Sequence, residues 1–490
     1  MASLTPRQWF AFAFAATLAL RFWLAAALPI TGDEAYFILW GRQPDLGFYD
    51  HPPMVGWLLA PLVRISEAAW VLRLPVLLLP VLVAFLVRHA LRSWFGRDAG
   101  TADLAAIAVL LVPLNVWNVF ITTDTPLALF SLASMLAFAR QRFVLAGVLL
   151  GLAFLSKYFA VLLGLAYLVW AVVARRPRAF ALVFAGALPF GLFNLYWNWQ
   201  ACWCNVMFNA INRHDDAGLS WTTPALYAAS LAYLAAPLLW YAWRGRGTLR
   251  EGLSRPGHGA LLAAWLVPLL VFALLSPVKR IGLHWLLSFI PAIVLSMALA
   301  LERRALVVTV RWFAGFAALH AVAIAVLVAL PLETWKETRL YTRLVVLFDP
   351  ASVLRPLAPL LEGAVLANEG YSTAALLSYH TKRNVPVFGP GSSHARHDDI
   401  LTDWRAYQGR DFVIQRRDEP ASAAYRPYFR SVEVRRIEAR GAAYFAVHGR
   451  GFDYAAYREG VLKPVRERWY RIPRALPVGR CYFYERYGLQ

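Results

Sequence analysis

The chain has 490 residues, of which 59% are hydrophobic and only 16% charged. That balance, with apolar runs of about 20 residues recurring along the chain, excludes an ordinary soluble globule and indicates a polytopic α-helical membrane protein. The formal net charge of +20 does not point to nucleic acid, because no recognition motif accompanies it.

Hydropathy predicts eleven helices, over residues 9–30, 68–90, 101–120, 124–140, 143–156, 158–174, 179–199, 222–243, 260–276, 283–301 and 305–330. The segment 9–30 has no clear small-residue cleavage site, so it reads as a retained first span rather than a signal peptide. Segments 124–140 and 143–156 are short for a span and imply tilt or breakage. Arg88, Arg92 and Arg97 follow the second helix, Arg140 and Arg142 the fourth, and Arg175, Arg176 and Arg178 the sixth. Arg244, Arg246, Arg250 and Arg255 follow the eighth, and Arg303 and Arg304 the tenth. These loops share the side of the N-terminus, which the positive-inside rule makes cytoplasmic. The alternate loops hold Asp33, Glu34, Asp50, His51, Asp124, Lys157, Arg213, Lys279, Arg280 and His284. Nearly every unusual polar group is therefore expected outside.

Past residue 331 the apolar runs end, and charged residues, Tyr and Gly become frequent. The chain thus divides into a membrane part, 1–330, and a small extracytoplasmic α/β domain, 331–490. Strands are expected at Ala364-Val-Leu-Ala, Val385-Pro-Val-Phe, Asp411-Phe-Val-Ile-Gln and Ala443-Tyr-Phe-Ala-Val. A helix starting from a Ser or Thr cap is expected at Ser372-Thr-Ala-Ala-Leu-Leu-Ser-Tyr. No internal repeat or low-complexity linker interrupts the chain.

Two polar stretches follow the first span: Thr31-Gly-Asp-Glu-Ala-Tyr-Phe and Gly47-Phe-Tyr-Asp-His-Pro-Pro-Met. They read as a polar loop carrying an active site, since carboxylates and an imidazole at a membrane edge are costly. Asp33 and Glu34 suit a general base on an acceptor hydroxyl or amine, or metal binding; a helix N-cap explains the same residues. Asp50 and His51 precede two prolines that stiffen the turn, as phosphate or divalent-metal ligands or as surface polar groups. Asp124, in Thr122-Thr-Asp-Thr-Pro, is either a cap beside a proline or a buried partner of the Asp33 stretch. Lys157 is a snorkelling or functional cation, and Lys279, Arg280 and His284 are either surface anchors or a phosphate pocket. Asn194-Leu-Tyr-Trp-Asn-Trp-Gln fits an aromatic belt or a sugar-stacking surface. Cys202 and Cys204 are too close to bridge each other easily, so either is a candidate partner for Cys481.

Gly32-Asp-Glu-Ala-Tyr-Phe, Gly47-Phe-Tyr-Asp-His-Pro-Pro-Met, Thr123-Asp-Thr-Pro and Gly151-Leu-Ala-Phe-Leu-Ser-Lys-Tyr, with His284-Trp-Leu-Leu, resemble motifs of GT-C membrane glycosyltransferases. The nearest groups are the protein mannosyltransferase-like family 39 and the aminoarabinose and lipid A galacturonosyl transferase-like family 83. The resemblance covers roughly the first 300 residues, in family order. It implies a bacterial inner-membrane enzyme with its site on the periplasmic side. The sugar would come from a polyprenyl-phosphate donor and go to lipid A, another glycolipid, a glycan or a protein. Asp33 would be the catalytic carboxylate, with Glu34 and Asp124 in support. His51, Lys157, Lys279, Arg280 and His284 would neutralise the donor phosphate. No cofactor is required, although Asp50 and His51 are candidates for a divalent metal. This chain departs from the aminoarabinose transferases at Asp50-His51, where they carry Glu-Lys, and lacks their Arg after the acidic pair. A transporter or flippase of a lipid-linked sugar is the alternative, and a non-catalytic assembly partner a weaker one; a transporter would show repeats and mid-membrane polar groups.

Overall fold

A computed structural model describes residues 5–212, 218–247, 257–391 and 396–489; Arg213, Arg250 and Arg255 lie outside them. The membrane part is a helical bundle, and each of the eleven predicted segments contains a helix. In chain order the helices are α1 (Pro6–Ala27), α2 (Gly32–Arg42), α3 (Met54–Ile65), α4 (Leu74–His89) and α5 (Ala99–Leu110). There follow α6 (Asp124–Ala139), α7 (Phe143–Ser156), α8 (Ala160–Val173) and α9 (Pro177–Gln200). The bundle ends with α10 (Thr222–Arg244), α11 (His258–Leu275), α12 (Ile290–Ala300) and α13 (Arg303–Ala329).

Among the described residues, 6 helices are long and apolar enough to cross a bilayer: α1, α4 with its continuation to Trp94, α9, α10, α11 and α13. The others are shorter. A 14-residue helix such as α7 is about 21 Å long, against a hydrocarbon core of about 30 Å. The segment expected as one helix over 101–120 divides into α5 and a turn at Pro113–Trp117, because Pro113 starts a new helix rather than continuing the old one. Their apolar faces meet in one large core that includes residues of α5, α6, α11 and α12.

The stretch expected as a polar loop is instead two short helices, α2 and α3, with the Gly47–Pro53 turn between them. The reason is local. Thr31 and Glu34 form a reciprocal capping box, Thr31 Oγ1 accepting from the Glu34 amide at 3.3 Å and Glu34 Oε2 accepting from the Thr31 amide at 3.0 Å. The two helices pack so closely that a Cβ on Gly41 would stand 2.7 Å from the Leu59 Cβ.

After α13 come α14 (Tyr341–Phe348), β1 (Ala364–Asn368), α15 (Tyr371–Thr381), β2 (Asp411–Arg416), β3 (Phe429–Ala439) and β4 (Ala442–Phe452). The sheet order is β1-β2-β4-β3, with β1 parallel to β2 and the remaining pairs antiparallel. Val385–Phe388, expected as a strand, contributes only a bridge from Val387 to Asn368. Pro386 removes the amide a ladder would need. The unpredicted β3 is an edge strand whose arginines and glutamates dilute its apolar alternation. It joins β4 through Arg440 and Gly441, both at positive φ, the geometry of a tight hairpin. Arg440 pairs with Glu333 and Asp349 at 2.8 and 2.7 Å, fastening that hairpin to the segment after α13.

Two hydrophobic clusters combine residues from both sides of position 331. One joins Tyr49, Trp197 and Phe208 to Tyr470 and Phe483; the other joins Ile30, Tyr36 and Trp40 to Tyr341, Val345 and Tyr444. A Cys202–Cys481 disulfide spans 279 positions across the same contact, while Cys204 is a buried free thiol. Removing the bridge with Cys202→Ser is expected to cost about 2–5 kcal/mol, read as a lower melting temperature that dithiothreitol reproduces in the wild type. A melt indifferent to both treatments would contradict a bridged pair.

Candidate active site

Glu34 and Arg73 form the buried joint beneath the site. The Arg73 guanidinium meets both Glu34 oxygens at 2.8 Å and also donates to the carbonyls of Ala25, Leu28 and Pro29. All five of its N–H bonds are thereby used. Glu34 Oε1 accepts from the Ile121 amide as well, at 3.0 Å. One ion pair therefore holds together the end of α1, the start of α2, the start of α4 and the irregular segment ahead of Asp124. Its side chains are 0% and 1% exposed, so the pair is intolerant of losing one member. Sequence reading did not single out Arg73; a lone cation in the apolar run Val71-Leu-Arg-Leu was the available signal.

Asp33 is displayed by this joint. It lies in the first turn of α2, one residue before Glu34, and its carboxylate is exposed. Tyr371, at the start of α15, donates its hydroxyl to Asp33 Oδ1 at 3.0 Å. Nothing local in the sequence links residues 338 positions apart, and Tyr371 went unrecognised. Gly32 makes this approach feasible, because a Cβ there would stand 2.0 Å from Ser372 Oγ.

Asp50 is buried and accepts from the Tyr36 hydroxyl at 3.0 Å. Tyr36 lies one turn beyond Asp33 on α2. The Gly47–Pro53 turn is held by Asn205 donating to the Phe48 carbonyl at 2.6 Å and Asn209 donating to the Asp50 carbonyl at 3.2 Å. Phe48 stacks on Trp40 with ring centroids 4.3 Å apart. His51 Nδ1 is 2.6 Å from the Asp50 carbonyl oxygen. A carbonyl only accepts, so Nδ1 carries the proton and a neutral His51 presents Nε2 as an acceptor. Burial holds the imidazole below its ordinary pKa, and the charges of Asp50, Lys157 and Asp124 all reach it. His51 therefore donates through Nε2 to a phosphate only after it takes up a proton from solvent, which a neighbouring anion favours.

Asp124 starts α6, fully enclosed, with Lys157 Nζ 2.8 Å from each of its oxygens. Thr122 Oγ1 donates to Oδ2 at 3.0 Å, and His284 Nε2 stands 3.9 Å from the same oxygen. The side chain of His284 is half-exposed, so this cluster opens to the surface on one flank. Lys279 and Arg280 occupy the turn leading to the short Leu283–Leu286 helix that carries His284, with Arg280 exposed and Lys279 half-buried. Lys157→Met is expected to destabilise the fold by about 3–5 kcal/mol by stranding a buried carboxylate, with Asp124→Leu in the same chain recovering part. A double-mutant melting series measures this; strictly additive losses would deny the coupling.

No three His, Cys, Asp or Glu side chains gather as metal ligands among the described residues. Asp50 and His51 offer two groups, Asp50 through the oxygen that Tyr36 does not engage and His51 through Nε2. Two protein ligands fall short of the three or more that a tightly held divalent metal takes from side chains.

Comparison with known proteins bears on this geometry. Residues 50–197 match the family model described as dolichyl-phosphate-mannose-protein mannosyltransferase. The matched span contains Asp50, His51, Asp124 and Lys157 and begins after Asp33. The chain is 28% identical over 242 residues to the lipid A galacturonosyltransferase RgtD of Rhizobium johnstonii, an alignment covering 45% of this chain and 51% of that protein. The chain thus spans about half the length of this curated relative. Among solved structures it resembles ArnT of Cupriavidus metallidurans bound to undecaprenyl phosphate, with a TM-score of 0.62 at 16% identity. That superposition covers 90% of this chain and 98% of ArnT. The apo form of ArnT gives a TM-score of 0.59 over 90% and 97% of the two chains. The fold is therefore the GT-C type: a helical membrane bundle with a small sheet-containing C-terminal region.

Proposed function

We propose that this protein is a multi-pass bacterial inner-membrane glycosyltransferase that moves a hexose or pentose from a polyprenyl-phosphate donor to an extracytoplasmic acceptor. The observation that carries this reading is a linked pair of groups: the exposed Asp33 carboxylate backed by Tyr371, and the buried Asp124 with Lys157 and His284, connected through Glu34 and the Ile121 amide. Asp33 takes the proton of the acceptor hydroxyl as the new glycosidic bond forms. The leaving lipid phosphate develops negative charge, which Lys157 and His284 neutralise, joined by His51 once protonated and by Lys279 and Arg280 at the rim. Asp124 keeps Lys157 charged and aimed, and Glu34 keeps Asp33 in the first turn of α2. The fold shared with ArnT, solved with undecaprenyl phosphate, supports a lipid-phosphate donor, and the alignment with RgtD supports a lipid acceptor.

The arginine-rich loops support an orientation with this site and residues 331–490 on the periplasmic side. In the same reading, residues 1–330 hold the donor and 331–490 close over it. Purified protein in detergent, given radiolabelled undecaprenyl-phosphate sugar and lipid A, is expected to form labelled glycolipid. Transport without turnover in proteoliposomes would instead favour a carrier of the lipid-linked sugar.

A further inference from the structure

Beside Asp33, on the side of Thr31 and Gly32, lies a cleft of ≈ 430 Å³ whose walls include Arg343, Tyr371, Ser372 and Arg417. Its charge is one-sided. Arg416 pairs with Glu369, and Arg440 with Glu333 and Asp349. Arg343 and Arg417, by contrast, make no side-chain hydrogen bond or ion pair among the described residues. Burial, followed by the charge of Arg343, holds the Arg417 guanidinium below its ordinary value, so the two cations lie within each other's field. No carboxylate is among the lining residues, although Asp33 borders the cleft through Tyr371 and the charge of Asp418 also acts on Arg417; an anion that engages both arginines relieves their mutual repulsion. The first turn of α15 lines the same cleft; its cap residue is Gly370 and no side chain caps the helix. This differs from the expected Ser or Thr cap. The first-turn amides, which lack partners within the helix, add a positive pole to the same space.

We propose that this cleft is a subsite for a phosphate monoester carried by the acceptor, seated beside the hydroxyl that Asp33 activates. The proposal rests on the glycosyltransferase reading for the word acceptor, and on the arginine pair for the phosphate. The donor is assigned elsewhere because the cations proposed for its phosphate, Lys157 and His284, gather on Asp124 and not on the Thr31–Gly32 side.

The test uses full-length protein in detergent, titrated with inorganic pyrophosphate and followed by thermal shift. Asp33→Asn is expected to bind at least as tightly as wild type, because it removes a negative charge beside the cleft. Arg343→Gln with Arg417→Gln is expected to weaken binding at least about tenfold, and the corresponding double lysine variant to recover part of it. Arg343→Gln alone changes an exposed side chain and serves if the double variant fails to fold. In transfer assays the wild type should show a lower KM for phosphate-bearing lipid A than for phosphatase-treated lipid A, and that preference should collapse in the arginine variant. Pyrophosphate binding indifferent to both arginines overturns the subsite. Displacement of pyrophosphate by undecaprenyl phosphate also overturns it, by assigning the cleft to the donor. Arginine-dependent binding in a protein that transfers no sugar would uphold the anion cleft and reject the transferase reading.

Discussion

Asp33→Asn is expected to lower sugar transfer by about 10²–10⁴-fold while leaving the melting temperature where it was. The substitution keeps the size of the side chain and an oxygen to accept from the Tyr371 hydroxyl, so the geometry at the head of α2 survives. It removes only the capacity to take a proton. The exposed position also means that no buried charge is stranded. Tyr371→Phe is the informative control, since it deletes one hydrogen bond, worth about 1 kcal/mol, and leaves the carboxylate in place. Initial rates with labelled donor, measured beside melting curves, check both. An Asp33→Asn enzyme running at the wild-type rate would remove the carboxylate from the mechanism.

Arg73→Met should have the largest effect on the fold itself. It leaves Glu34 ionised in a closed environment and frees three backbone carbonyls, at a cost of about 3–5 kcal/mol. Much of the stability of a typical domain would be lost. Activity should fall with the folded fraction, because the joint sets the position of Asp33 on one side and of the segment before Asp124 on the other. Adding Glu34→Gln to the same chain removes the stranded charge and is expected to recover part of the loss. Thermal melts of the two single variants and the double measure the coupling, and a double variant no better than Arg73→Met would refute it.

These two expectations differ in how much of their basis the linear sequence contains. Asp33 was legible because acidic residues ending an apolar run are conspicuous, and because its neighbours match family motifs. Asp124 and Lys157 were legible as lone charges between apolar runs, and His284 as part of the cationic group with Lys279 and Arg280. Their pairing was not, since the Lys157–Asp124 contact joins residues 33 positions apart on two helices. Arg73 carried the weak signal of a single cation in an apolar stretch. Tyr371, Arg343 and Arg417 carried none, because in a water-facing segment a tyrosine or an arginine is ordinary.

By itself the sequence determined the membrane class, a helix in each apolar segment, the compositional change near residue 331 and three of the four strands. These follow from local quantities: hydropathy over about 20 residues, period-two alternation and the spacing of basic loops. Only the tertiary structure decided that Cys202 rather than Cys204 meets Cys481, and that residues beyond 331 supply Tyr371 to Asp33 and two arginines to the adjoining cleft. Those outcomes depend on contacts between distant segments. Hydrophobic patterning shows that such surfaces must be buried, but their partners are selected by shape and charge once the chain has packed.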